Sequence, residues 1–497
     1  MSTSTRRSFV IGALASLSGA AVSELLTALT RVRLSPVLAI GEAVIQYTPG
    51  EIAERAIDAV GQLDKPLLVL GVVIGLIVAG GCAGVAMARS LAAGVAAFAV
   101  LAAVPLVAVL TQDGGSGGSA AIVVLSAVVS VVVAASMLRT ARYDTAGRRT
   151  FLRDMALLGG AAVLVGGVGR WVGSTFSAVA DARDRLRLPL RSQPTPEGVE
   201  FGVDDIASWR TPADDFYLID TTLAAPLIKP DDWKLRIHGM VDRELTLTYD
   251  QLVDRGLSES WITLCCVSNE VGGDLIGNTV WGGVSIKDLL DEVGVHPDAD
   301  ALLSTSDDGW NCGTPLAALT DGRDAMLAVT MDGAPLPVEH GFPVRMVVPG
   351  LYGYVSATKW VVDWEVTRFD DFTAYWTERG WAPEGPVKTQ SRIDTPDDGG
   401  QVRAGTVVVG GVAWAQHRGI EKVEVSVDDG GWQSAELARV PNVDTWVQWR
   451  LEWDAEPGEH DLAVRATDRT GAVQTSRTQG TVPDGATGHH TVSLTVE

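Results

Sequence analysis

The chain has 497 residues, enough for two or three domains. Its formal net charge of −22 is uneven, with residues 1–180 summing to +4 and residues 181–497 to −26. So acidic a second part, with only seven Lys in the whole chain, excludes nucleic acid as a partner and suits a salt-rich habitat, where ions screen the repulsion between carboxylates.

Five stretches near 8–28, 66–87, 90–111, 119–138 and 154–174 are long and apolar enough to cross a bilayer, which takes about 20 residues. The segment 32–48, interrupted by Pro36, Glu42 and Gln46, is too mixed for a span and fits the interface. Arg6 and Arg7, then Arg89, then Arg139, Arg142, Arg148, Arg149 and Arg153 all fall on one side of five spans. The excess of Arg puts that side inside, so everything after about residue 175 lies outside; a four-span chain would reverse this. Gly147-Arg148-Arg149-Thr150-Phe151-Leu152-Arg153 resembles a twin-arginine export signal placed before the last span, and Thr5 to Val10 is a weaker match. No His precedes His238, which excludes a bis-His haem in the spans. Residues 1–175 are thus expected to be a helical transmembrane bundle, an anchor in the lipid bilayer or a docking surface for another membrane protein.

Residues 176–200, rich in Arg and Pro, form a linker. Residues 201–370 mix strands, such as 233–237, with a helix over 286–293, where Ile286, Leu289, Leu290 and Val293 share one face between a Ser285 cap and a Gly294 stop. The last domain is expected at 371–497, and from about 400 only strands are expected: Val423, Val425 and Val427 alternate with polar residues before a turn at 428–431, and Leu462 to Arg465 precede another at 468–471. That spacing predicts an immunoglobulin-like β-sandwich.

The four Cys show neither zinc spacing nor a disulfide framework, and Cys82, inside an apolar run, is expected to pack. Trp261 to Gly273 is a strand running into a Gly-containing loop; its Cys265-Cys266 pair, taken alone, is more often packing than chemistry. In context it resembles the molybdenum-cysteine motif of the sulfite oxidase family, where Cys is followed by two small residues and Asn: Cys266-Val267-Ser268-Asn269 fits and Cys265 does not. Further matches are Phe216 to Thr221, Ile276 to Val284, Met326 to Val329, Gly333 to Pro337, His340 to Arg345, Val348 to Gly350, Lys359-Trp360, and parts of the last domain (Gly411 to Trp414, Val423 to Asp428, Gly458 to Asp468). The resemblance covers about 200 to the C-terminus. It implies an α+β molybdopterin domain, a dimerisation domain and a two-electron oxidoreductase with a molybdenum-molybdopterin cofactor.

By that resemblance Cys266 is the thiolate ligand to molybdenum, a soft ligand for a soft centre. Tyr217, Asp220, Asn269, Asp307 (or its neighbour Asp308), His340, Arg345, Thr358 and Lys359 fall on cofactor-binding positions, the cations answering a phosphate. Trp310 stands where the family has an active-site Tyr, Glu270 and Val271 where sulfite-oxidising members carry Arg, and another Arg is replaced around Leu218. These departures lean slightly away from sulfite and leave two reactions on a small-molecule sulfur substrate open, oxidation of a sulfur oxyanion such as sulfite and reduction of an S-oxide. Without an attached haem domain, electrons need a separate partner; a homodimer follows only from the resemblance of the last domain. The alternative is a cell-surface binding module that kept the fold and lost the cofactor. Cys312 is expected to pack.

Overall fold

The computed structural model describes residues 3–30, 35–48, 64–111, 117–142, 178–190, 193–223 and 225–497. It divides into two compact units, Met1–Val179 with Thr221–Ala224, and the remainder.

The first unit is helical: α1 (Thr3–Thr30), α2 (Pro36–Tyr47), α3 (Asp64–Arg89), α4 (Leu91–Thr111) and α5 (Gly117–Arg142). Four of these contain stretches long and apolar enough to span a bilayer, Thr5–Thr27, Leu67–Arg89, Leu91–Thr111 and Gly117–Arg139. They match the first four expected spans; the fifth, and the Arg148-Arg149 motif, lie outside the described residues. α2 is a 12-residue helix, too short to span, and starts where the Ser35 hydroxyl accepts the Leu38 N–H at 3.2 Å. α1 and α3 approach through glycines: a Cβ at Gly12 would stand 2.7 Å from Gly84 Cα, so only the smallest residue fits. Cys82 departs from expectation. It is exposed on α3.

The second unit opens with a five-stranded sheet of β1 (Lys234–Gly239), β2 (Leu245–Thr248), β5 (Ala301–Ser306), β6 (Asn311–Pro315) and β10 (Val361–Thr367), in the order β2-β1-β10-β5-β6. A second sheet, β3 (Ser258–Cys265), β4 (Ile276–Ser285), β7 (Met326–Met331) and β8 (Ala334–Pro335), adds β9 (Arg345–Val347) on β7. Short helices α6 (Tyr249–Val253), α7 (Ile286–Val293) and α8 (Leu316–Thr320) complete the domain. In α7 the Ser285 hydroxyl accepts the Asp288 N–H, Gly294 ends the helix at φ +72°, and the four predicted apolar residues are buried. Each such burial stabilises by roughly 1.5–3 kcal/mol.

The last domain is two packed sheets. One orders β11 (Gln390–Thr395), β13 (Gly405–Trp414), β17 (Val447–Ala455) and β16 (Glu436–Leu437) as β11-β13-β17-β16. The other orders β12 (Gln401–Val402), β19 (His490–Val496), β18 (Gly458–Asp468), β14 (Ile420–Val427) and β15 (Gln433–Ser434) as β12-β19-β18-β14-β15. Their inner faces enclose Val409, Val423, Val425, Trp449, Leu462 and Val464. Val412, Trp414 and Trp446 instead join the core of the preceding domain. There Trp446 N donates to Thr263 Oγ1 (2.8 Å) and Thr263 N to Asp444 O (2.9 Å), so the two domains share one interior.

Candidate active site

One sheet carries both ends of the site. β3 ends at Cys265, opposite Ile276 of β4, and residues 266–275 form the connecting loop. Cys266 N donates to Leu275 O (2.9 Å) and Leu275 N donates to Asn269 Oδ1 (2.8 Å), which closes the loop. The last domain braces it from outside: Arg392 donates to Gly273 O (2.7 Å) and to Asp394 (2.5 Å). A Cβ at Gly272, where φ is +81°, would collide with the His490 ring.

Both thiols of the pair are buried. Burial pushes Cys265 well above the usual thiol range, and its Sγ–H donates to Cys266 O (3.4 Å). Burial raises Cys266 too, but hydrogen bonds from Ser268 and Val267 oppose it. Arg392 and a hydrogen bond from Asn269 oppose the rise at Cys265 as well, but Cys266 has the more donors, the Ser268 N–H and hydroxyl and the Val267 N–H, and these stabilise a thiolate.

At the other end β4 pairs with β7 and β7 with β9, Ala328 opposite Arg345. Arg345 is 5% exposed. It donates to the carbonyls of His340 (3.2 Å) and Met346 (3.3 Å), and its guanidinium lies 5.0 Å over the Trp281 ring. Among the described residues no carboxylate forms an ion pair with it. Burial lowers its pKa to about 10, opposed by Tyr217, so it remains charged at neutral pH. A buried cation held by two carbonyl dipoles and an indole face, with no carboxylate, is costly and matches an anionic ligand.

His340, also buried, is pushed down to about 3 by burial and by the charges of Arg345 and Lys359, so its imidazole is neutral. Its Nε2 faces Ala213 O at 3.1 Å, which assigns the proton to Nε2 and leaves Nδ1 an acceptor. Phe216 meets the ring edge-on at 5.9 Å. Lys359 donates to Asp220 (3.0 Å) and to Glu339 O (3.0 Å), so two predicted cofactor residues pair with each other. Tyr217 links the ends: burial raises its phenol well above the ordinary value, Cys266 and Cys265 add to this, and Arg345 opposes it.

Asp307 and Trp310 share the β5–β6 turn. Asp307 N donates to Trp360 O (2.8 Å), which sets that turn against the Lys359-Trp360 segment, and Trp310 is half-buried. Thr358, fully buried, contacts Cys312 Sγ through its hydroxyl at 3.3 Å. Cys312 is pushed up to about 12 by burial and packs inside the sheet. Glu270 is exposed. The residues that sequence reasoning missed are Arg392, His490 and Tyr352, whose phenol is raised by burial and by both thiols. Arg392 and His490 lie more than a hundred residues beyond Cys266, and nothing local marks any of the three.

The donor set suits a molybdopterin cofactor: a buried thiol with supporting donors, and a buried cation without a carboxylate. Comparison with known proteins points the same way. The family model "Oxidoreductase molybdopterin binding domain" matches residues 222–376 and "Mo-co oxidoreductase dimerisation domain" matches 385–484. The uncharacterized oxidoreductase YuiH of Bacillus subtilis is 31% identical over 153 residues, 31% of this chain and 74% of that protein. The mitochondrial sulfite oxidase of Rattus norvegicus is 29% identical over 341 residues, 59% of this chain and 61% of the enzyme. The chain thus spans about three fifths of the length of the sulfite oxidases it matches. The sulfane dehydrogenase SoxCD of Paracoccus pantotrophus shares the fold at TM-score 0.50 and 24% identity, over 59% of this chain and 84% of that one.

Proposed function

Because the chain belongs to the sulfite-oxidase-like molybdopterin oxidoreductases, we propose that it performs two-electron oxo transfer on a small sulfur compound, in the direction of S-oxide reduction. The observation that carries this reading is the buried, carboxylate-free Arg345 on the same sheet as the donor-supported Cys266 thiol. Cys266 would bind the metal, and Arg345, Lys359, His340, Asp307, Thr358, Tyr217 and Asp220 would hold the pterin and its phosphate. The bound cofactor supplies the two-electron exchange of an oxo group. Asn269 positions the thiol by closing its loop. Neutral His340 offers an acceptor at Nδ1, and protonated Tyr217 keeps its O–H to donate.

The substrate direction rests on Arg392. This guanidinium near the thiols is paired with Asp394 and Gly273 O, which leaves it little charge for an anion such as sulfite; a neutral S-oxide needs none. Trp310 would flank the substrate with its indole N–H. We read the last domain as immunoglobulin-like and as the surface of a homodimer. The helices would anchor the enzyme in a membrane with its catalytic unit outside the cytoplasm, after twin-arginine export, and electrons would come from a separate partner rather than an attached haem.

The test is the full chain made in a molybdenum-competent host. Methionine sulfoxide with a reduced viologen and sulfite with ferricyanide should differ at least tenfold in kcat/KM, favouring the sulfoxide. Cys266→Ser should abolish both activities. The reverse preference overturns the direction; a molybdenum content near zero in the wild type overturns the enzyme in favour of a binding module.

A further inference from the structure

The residues proposed to hold the pterin carry an exposed patch on their outer side. Ala213 O meets His340 Nε2 at 3.1 Å, and Phe216 lies edge-on to the same ring. Lys359 donates to Asp220 and to Glu339 O, each at 3.0 Å. These contacts fix the segment 213–220 and the turn at Glu339 side by side. Phe216 is buried, while Asp214, Asp215, Leu218, Ile219 and Glu339 are exposed.

The centre of the patch is apolar. Leu218 and Ile219 are 48% and 47% exposed; among the described residues of the second unit only Val473 and Val482, far apart in the last domain, match them. A single exposed apolar side chain is ordinary, but two in succession between Tyr217 and Asp220 form a patch. Its rim is anionic. Among the described residues none of Asp214, Asp215 and Glu339 is in an ion pair. The segments 211–220 and 333–339 contain no Lys, Arg or His. The Arg residues that border them are committed: Arg210 to Asp332, and Arg183 to Asp184, Pro335 O and Leu336 O. Lys359 is offset by Asp220. An apolar centre inside a rim of one sign is the anatomy of a docking surface for a partner of the opposite sign.

We infer that this patch docks the electron donor, and that the donor is a small basic redox protein whose own cofactor edge is framed by apolar residues. The inference rests on the proposed S-oxide reduction with a separate partner. Electron transfer weakens steeply with distance, so the donor must seat close to the cofactor, and this surface covers residues proposed to hold it. Redox encounters bury little area and are brief, which suits two apolar side chains and three charges. The carboxylates steer a cationic partner, and the apolar pair seats it. Salt screens the rim and leaves more of the contact to the apolar pair. Two reduced carriers dock in turn, and each gives up one electron. The S-oxide takes both electrons with two protons from water, its S–O bond breaks, and the oxygen leaves as water.

The test uses the full chain in mild detergent and two low-potential c-type cytochromes as probes, one basic and one acidic. At low ionic strength the basic cytochrome should bind about tenfold or more tightly than the acidic one, and should weaken as salt is added. The triple variant Asp214→Asn, Asp215→Asn, Glu339→Gln should weaken that binding about tenfold and flatten its salt dependence. It should keep the wild-type melting temperature and the wild-type rate of methionine sulfoxide reduction by a zwitterionic viologen, which needs no docking. Leu218→Asn with Ile219→Asn should weaken binding at low and high salt alike. A control triple on the last domain, Glu421→Gln, Asp429→Asn, Glu452→Gln, should leave binding within about twofold of wild type. No preference for the basic cytochrome, an unaltered salt dependence in the first triple, or an equal loss in the control overturns the proposal. Absence of methionine sulfoxide reduction by the wild type with the viologen overturns instead the reading on which it rests, and the binding comparison still decides the patch.

Discussion

Two buried charges of the second unit invite comparison. Asp468, in the last domain, is 1% exposed and accepts from Arg418 (2.9 Å), Thr389 (2.8 Å), the Thr470 hydroxyl (2.6 Å) and backbone N–H (3.0 Å), and Ala472 N (3.2 Å). Burial works against its charge, but the bonds from Thr470, Thr389 and Arg418 prevail and hold it at about 2. Arg345 is nearly as buried, yet it meets only two carbonyls and an indole face. The first charge is complete within the chain and serves stability; the second has no carboxylate among the described residues, which supports the ligand proposed for it.

That contrast fails if the two sites respond alike to loss of their charges. Asp468→Ala should have the largest effect: it strands Arg418 and several donors, and should lower stability by about 3–5 kcal/mol in denaturant titration, with molybdenum per folded chain unchanged. Arg345→Met should do the reverse. Cofactor content, measured by metal analysis, should fall about tenfold or more, a difference of about 1.4 kcal/mol in binding. The cofactor-free variant should be no less stable than cofactor-free wild type. A cofactor-free Arg345→Met that melts well below the wild type would remove the distinction.

A smaller effect is expected with pH. His340 is depressed from its ordinary 6.5 to about 3, so the unfolded chain binds its proton first. The stability it contributes is complete above 6.5 and is lost as pH falls toward 3. Asp468, depressed from 3.8 to about 2, gives way only below 3.8. Between pH 4 and 6 the denaturant midpoint of cofactor-free protein should therefore fall with pH through His340 and not through Asp468. His340→Gln should flatten that slope; an unchanged slope would reject the assignment.

The sequence by itself determined much of the local architecture. Four apolar spans, the helix from Ile286 to Val293 with its Ser285 cap, and the strand ending in Cys265-Cys266 follow from periodicity and capping, which depend on neighbours within a few residues. Motif resemblance also assigned Cys266, His340 and Arg345 to one proposed site. Only the tertiary structure decided which charges remain uncompensated. Lys359 is neutralised by Asp220, 139 residues away, and Arg345 is not. The same holds for Arg392 and His490, which brace the thiol loop from the last domain. Whether a polar group is satisfied depends on which distant chain segments arrive beside it, and a local pattern of residues carries no record of that.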